Sequence, residues 1–180
     1  MSILKETSVS VLYDNIRIFV CDITDKKMAD AIIKYLEHYF HQFVACPGSV
    51  HHHHNYTSGL AEHTLEVIML SLHIAEMRDL LDLDRDKVIM AATLHDIGKI
   101  NQYTMEESEW GYAMSKEDSK LYDHGMWVIE DFQKFSGLIL PPDVMEAIAT
   151  HHGGWSKTGI KMERVLSAVL HSADLISSRI

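Results

Sequence analysis

Cysteine is almost missing from this chain. Cys21 and Cys46 are the two in 180 residues, too few for a disulfide framework and wrongly spaced for a zinc knuckle. Both are expected to stay reduced, as in a cytoplasmic protein. No run reaches the roughly 20 apolar residues of a membrane span, and the opening MSILKETSVSVLYDN lacks the apolar centre of a signal peptide. Basic clusters are also lacking. The formal net charge is −10, and a surface this acidic repels phosphate backbones, which argues against broad, non-specific nucleic-acid binding. There is no internal repeat and no linker-like composition.

What is present is apolar enough to fold: 47% of residues are hydrophobic. A chain of this length buries roughly 70% of its unfolded surface and suggests one domain. The pattern reads as all-α, a bundle of about six helices with a small N-terminal strand or hairpin addition. Residues 16–23, IRIFVCDI, are the strand candidate, being rich in β-branched and aromatic residues. An isolated strand could pair with another chain, so a homodimer is an expectation. Helices are expected over about 25–43 (capped by Thr24), 59–80, 85–97 (capped by Asp84 and stopped at Gly98), 118–135, from Pro141-Pro142 to Gly153-Gly154, and 161–178. Residues 101–118 read as a loop or short hairpin. Residues 1–45 are taken as a strand plus helix belonging to the same domain as a core at 46–180.

Histidine is abundant, 13 in all, and neutral imidazole is the commonest metal ligand. His63, His95, Asp96, His124, His151, His152 and Asp174 lie on or at the ends of different expected helices. A bundle can bring such positions to one pocket. Imidazole nitrogen with carboxylate oxygen and no thiolate suits Mn²⁺, Fe²⁺ or Zn²⁺. In LHDIGK (residues 94–99) and again at His151-His152, the polar pair stands just before a glycine, where neighbouring side chains at a helix end can converge. Asp96 has two oxygens and could bridge two ions about 3.5–4 Å apart.

The ordered series of His63 in GLAEHT, His95-Asp96 in HDIGK and Asp174 in HSAD resembles the HD superfamily of metal-dependent phosphohydrolases, over about residues 50–178. HHNYTSGLAEHT together with HHGG is most similar to the HD domain of bacterial 3′→5′ exoribonucleases, and more loosely to the cyclic-dinucleotide phosphodiesterase branch. The OB-fold of those exoribonucleases finds no room in this length, and the Gly-Tyr-Pro signature of the other branch is absent after HHGGW.

The resemblance implies one divalent ion on His63, His95, Asp96 and Asp174, and a second on Asp96, His124 and His151, with His152 as a further ligand or a donor behind one. Mn²⁺ or Fe²⁺ is the first expectation, Zn²⁺ or Ni²⁺ the second. A water between the ions would become hydroxide and attack phosphorus. Asp96 and Lys99 are the expected catalytic residues, Lys99 holding a non-bridging phosphate oxygen; the bland reading of Lys99 is a cation at a helix C-terminus. His53 and His54 are expected near the pocket mouth. Trp155 and Tyr56 are candidates for stacking on a base, against ordinary packing. His171 either lines the pocket or supports it, and His38, His41 and His73 are structural. The expected substrate is a phosphorylated small molecule, a nucleotide or a single-stranded nucleic-acid end. The alternative is a non-catalytic metal-binding sensor or partner-binding module.

Overall fold

The computed structural model describes residues 9–49, 53–77, 83–105, 112–114, 123–156 and 158–179. Eight α-helices stand among them. The first is α1 (Val9–Asp22), followed by α2 (Lys26–His38), α3 (Phe40–Ala45), α4 (Gly59–Met77) and α5 (Arg85–Leu94). A 3₁₀ turn (Ile97–Asn101) leads into β1 (Tyr103–Met105), which pairs antiparallel with β2 (Tyr112–Met114). Then come α6 (His124–Ser136), α7 (Pro142–Thr150), a 3₁₀ turn (Gly153–Trp155) and α8 (Val165–Ser177).

The axis of the bundle is α4. Leu60, Ala61, Leu65, Val67 and Ile68 on different sides of it are all buried, as expected of a helix surrounded by others. Helices α1, α3, α5 and α8 pack around it, and α7 bridges α5, α6 and α8. Local chemistry sets the ends. Asp25, Asp84 and Asp123 cap α2, α5 and α6 through their side chains, and Pro142 opens α7 at a position where its missing N–H costs nothing.

The N-terminal strand is not formed. Residues 16–22 lie inside α1, where Leu12, Ile16 and Val20 are buried at four-residue spacing while Ile18 is 60% exposed. A strand would have put Ile16, Ile18 and Val20 on one face. Packing against α2, α4 and α5 outweighs the β-propensity of the run. The homodimer expectation rested on that strand edge and loses that basis.

Other boundaries shift for identifiable reasons. Asp25, not Thr24, caps α2, and the helix expected over 25–43 divides at Tyr39. Of the loop or short hairpin expected within 101–118, the pairing of β1 with β2 shows the hairpin. The start of the helix expected at 118 and the end of the one expected at 80 lie outside the described residues. α7 stops at Thr150, before the glycine pair. No helix among the described residues is long and apolar enough to cross a membrane.

Candidate metal centre

Five helices send polar side chains to one point. His63 comes from the first turns of α4, His95 and Asp96 from the turn after α5, His124 from the first residue of α6, His151 and His152 from the turn after α7, and Asp174 from α8. Two glycines let them meet. A Cβ on Gly98 would stand 2.3 Å from the His124 carbonyl oxygen, and one on Gly125 would stand 2.6 Å from that of Ile148. Gly98 was expected to stop a helix. Its task is instead to let the start of α6, and so His124, press against the Asp96 turn.

Asp96 is the hub and is 1% exposed. Its Oδ1 lies 3.0 Å from His124 Nε2 and 3.4 Å from His151 Nε2. Its Oδ2 lies 3.2 Å from His63 Nε2, 3.5 Å from His95 Nε2 and 2.5 Å from Lys99 Nζ. Asp174 Oδ1 is 3.1 Å from His63 Nε2. The imidazole nitrogens also crowd each other, at 3.3 Å for His63 and His95 and 3.1 Å for His124 and His151. Yet neither Asp96 oxygen has a hydrogen bond of proper geometry. A buried carboxylate left so is costly unless another ligand serves it.

Two four-residue groups share Asp96. One is His63, His95, Asp96 and Asp174; the other is Asp96, His124, His151 and His152, and within each the ligand atoms lie within 4.8 Å of one another. The donor set fits divalent cations that accept imidazole and carboxylate together. Cys46 is not part of it, and burial pushes its thiol up to about 12.

Hydrogen bonds behind the rings fix which nitrogen faces the centre. His95 Nδ1 donates to the Ala92 carbonyl (2.8 Å) and His151 Nδ1 to that of Ile148 (2.6 Å), leaving Nε2 bare on the inner side. His63 Nδ1 meets Ser177 Oγ at 2.9 Å, and Ser177 donates to Glu66 Oε2 at 2.8 Å. His171 Nδ1 donates to the His151 carbonyl (2.6 Å).

Burial presses all these imidazoles toward neutrality. It takes His95 down to about 4, with His151 and His63 adding repulsion against the pull of Asp96, and it lowers His124 despite Asp96. For His63 and His151 burial is outweighed by the facing carboxylates, and both are raised. Burial alone would raise the Asp96 carboxyl, but Lys99 and His95 hold it well below the usual range. Asp174 is lowered too, His63 outweighing burial.

A cavity of about 500 Å³ opens on this centre, lined by His53, Lys99, His152, Trp155, His171 and Asp174, and by Leu175, Ser178 and Arg179 at and just beyond the end of α8. Burial, together with neighbouring cationic groups, lowers the His53 and His152 imidazoles to about 3 and about 2. Trp155 is 75% exposed. His54 does not line the cavity; its ring turns inward, with Nε2 3.2 Å from Glu66 Oε2. Tyr56 donates its hydroxyl to Glu62 (2.7 Å). Lys99 lines the cavity, but its ammonium is also engaged by Asp96 and by the Gly48 carbonyl at 2.9 Å. Ser177, Glu66 and Arg179 escaped the sequence reading. Glu66 and Ser177 each lie three residues after a candidate ligand, on the same helix face, and that spacing was the available signal.

A family model described as the HD domain matches residues 60–178. Among curated proteins, the chain is 30% identical over 137 residues to a dihydroneopterin 2′,3′-cyclic phosphate phosphodiesterase of Methanocaldococcus jannaschii, covering 74% of this chain and 52% of that protein. It is 24% identical over 180 residues to the 3′-5′ exoribonuclease YhaM of Listeria welshimeri, covering 88% and 56%. To the YhaM of Bacillus licheniformis it is 28% identical over 153 residues, covering 79% and 45%. The chain thus spans about half the length of these relatives. No solved structure matches.

Proposed function

Because the chain belongs to the HD-domain family, we propose that it is a metal-dependent phosphohydrolase cleaving a phosphoester of a nucleotide or of a nucleic-acid end. The observation that carries this reading is the buried Asp96 carboxylate where the two imidazole-rich groups meet, its Oδ1 facing the Nε2 atoms of His124 and His151 and its Oδ2 those of His63 and His95 beside Lys99. His63, His95, Asp96 and Asp174 would hold one divalent ion and Asp96, His124, His151 and His152 a second, with Mn²⁺ or Fe²⁺ favoured over Zn²⁺ or Ni²⁺. Such ions, when bound, make a nucleophile of water near neutral pH and draw charge from phosphorus.

The chain's own groups do the rest. The carbonyls of Ala92 and Ile148 and the hydroxyl of Ser177 hold His95, His151 and His63 in the ligating orientation. Lys99 keeps a positive charge beside Asp96 and faces the cavity, where a phosphate oxygen would arrive. Neutral His53 and His152 offer hydrogen bonds without adding charge. Trp155 presents an exposed ring to a base, and Arg179 adds a second cation to the wall. The cavity is of small-ligand size, and in a chain of charge −10 it favours a nucleotide or one strand end over a long polymer. The two named activities among the relatives, on a 2′,3′-cyclic phosphate and on RNA, are both cleavages of a phosphodiester.

The test is an assay of Mn²⁺-loaded protein on bis(p-nitrophenyl) phosphate, p-nitrophenyl phosphate and nucleotides, with metal content measured alongside. Turnover on the diester, lost together with bound metal in Asp96→Ala, supports the reading. Bound metal with none of these cleaved would make the chain a non-catalytic metal-binding module.

A further inference from the structure

We propose that His54, Glu62 and Glu66 form a further divalent-cation site, separate from the two groups that share Asp96. All three are buried, at 7%, 3% and 4% exposure, and their ligand atoms lie within 4.8 Å of one another. Glu62 and Glu66 stand four residues apart on one face of α4, a spacing at which like charges repel. Tyr56 donates to Glu62 and Ser177 to Glu66; these neutral hydroxyls orient the carboxylates and bring no charge.

The deciding atom is His54 Nε2. It is shielded from solvent and makes no hydrogen bond, although Glu66 Oε2 is only 3.2 Å away. Were Nε2 protonated, a charge-assisted bond to Glu66 would be expected, short and straight at about 2.7–2.9 Å. Were it bare, with Nδ1–H given to His53 Nδ1 at 3.0 Å, its lone pair would face a carboxylate. A cation removes both difficulties. Ligand atoms held at about 2.1 Å from a common ion fall about 3.0–3.4 Å apart, and His54 Nε2 and Glu66 Oε2 stand 3.2 Å apart. The ring is carried there by backbone bonds, Gly48 N–H and Tyr56 N–H both donating to the His54 carbonyl at 3.0 and 2.9 Å. An ion here fastens the segment before α4 onto that helix. Through Glu66 and Ser177 it also bears on the ring of His63.

Crystals of the wild-type chain soaked in Mn²⁺ and measured above the manganese edge test this directly. An anomalous peak within bonding distance of His54 Nε2, Glu62 and Glu66 is expected. Glu62→Gln should remove that peak and about one ion per chain by elemental analysis, with the ions at Asp96 kept. Absence of the peak in wild type overturns the site, as does an unchanged ion count in Glu62→Gln. The wild-type crystal decides even if the variant fails to fold. Empty Asp96 groups beside a filled His54 group would sink the reading of the main centre and leave this site standing.

Discussion

Asp96 and Glu146 are both carboxylates held below their usual pKa, and they sit in opposite circumstances. Glu146, on α7, accepts from the backbone N–H groups of Glu163 (2.9 Å) and Arg164 (2.8 Å), from Ser167 Oγ (2.8 Å) and from Arg164 Nε (3.1 Å). It ties the two residues before α8, and Ser167 in its first turn, to another helix, at a start where no side chain of α8 itself caps the backbone. Asp96 is surrounded by five nitrogens and satisfied by none in hydrogen-bond geometry. A depressed carboxylate pKa therefore does not mark a working site by itself. The bonds show the difference: where they are complete the residue holds the fold, and where they are missing the fold holds the residue for something else.

The sharpest way to break this comparison is to remove each carboxylate and ask what is lost. Asp96→Ala should lower kcat/KM on a phosphodiester by about a thousandfold or more. It should also abolish the rise in unfolding midpoint that Mn²⁺ gives the wild type, since stabilisation by a ligand requires a site in the native state. A metal-dependent midpoint that survives in the variant would deny Asp96 its central place.

Acid should separate the imidazoles next. His63 and His151 are raised by their facing carboxylates, whereas His95, His53 and His152 are lowered. In the metal-free chain protons therefore compete for the first two. The apparent Mn²⁺ affinity, measured by titration calorimetry, should begin to weaken above the ordinary histidine value of about 6.5 and fall up to about tenfold per pH unit for each proton displaced. An affinity flat from pH 8 to pH 6 would contradict the arrangement. Ser177→Ala, which removes the group behind His63 Nδ1, should cost about tenfold to a hundredfold in metal affinity and change the unfolding midpoint of the metal-free protein little.

The sequence disclosed the centre better than its frame. His63, His95, Asp96 and Asp174 were legible because GLAEHT, HDIGK and HSAD in that order resemble the motifs of the HD superfamily, and the fold brings the four side chains together. What lies behind them was hidden. Glu66 and Ser177 look like ordinary helix residues until tertiary packing brings α4 and α8 together, and Glu146 looks like a solvated charge until Arg164 folds back onto it. The first helix was misread because IRIFVCDI has the composition of a strand. Only the alternation of burial along Leu12, Ile16, Ile18 and Val20 separates the two periods, and burial is not visible in a single sequence. The resemblance of HHNY to the family placed His54 at the pocket mouth; its ring packs instead between His63 and Glu66 and does not line the cavity.

Glu146 provides the smallest and cleanest contrast. Glu146→Ala leaves the exposed N–H groups of Glu163 and Arg164 to water and should cost about 0.5–1.5 kcal/mol of stability. Metal content and kcat below the melting range should be unchanged, because Asp174 lies more than two turns further along α8. Burial pushes the Glu146 carboxyl up, but the donors at Glu163, Ser167 and Arg164 outweigh it and the group ends below its usual value. Its contribution is then full above the ordinary glutamate pKa of about 4.3 and fades as pH falls through the lower folded value. Chemical denaturation in EDTA, where no metal adds its own pH dependence, should show a constant gap between wild type and Glu146→Ala from neutral pH to about 5, closing below about 4. A gap that grows on acidification would mean that the carboxylate is protonated more readily in the folded chain than in the unfolded one, and the tie at the start of α8 would then be the strained element rather than the satisfied one.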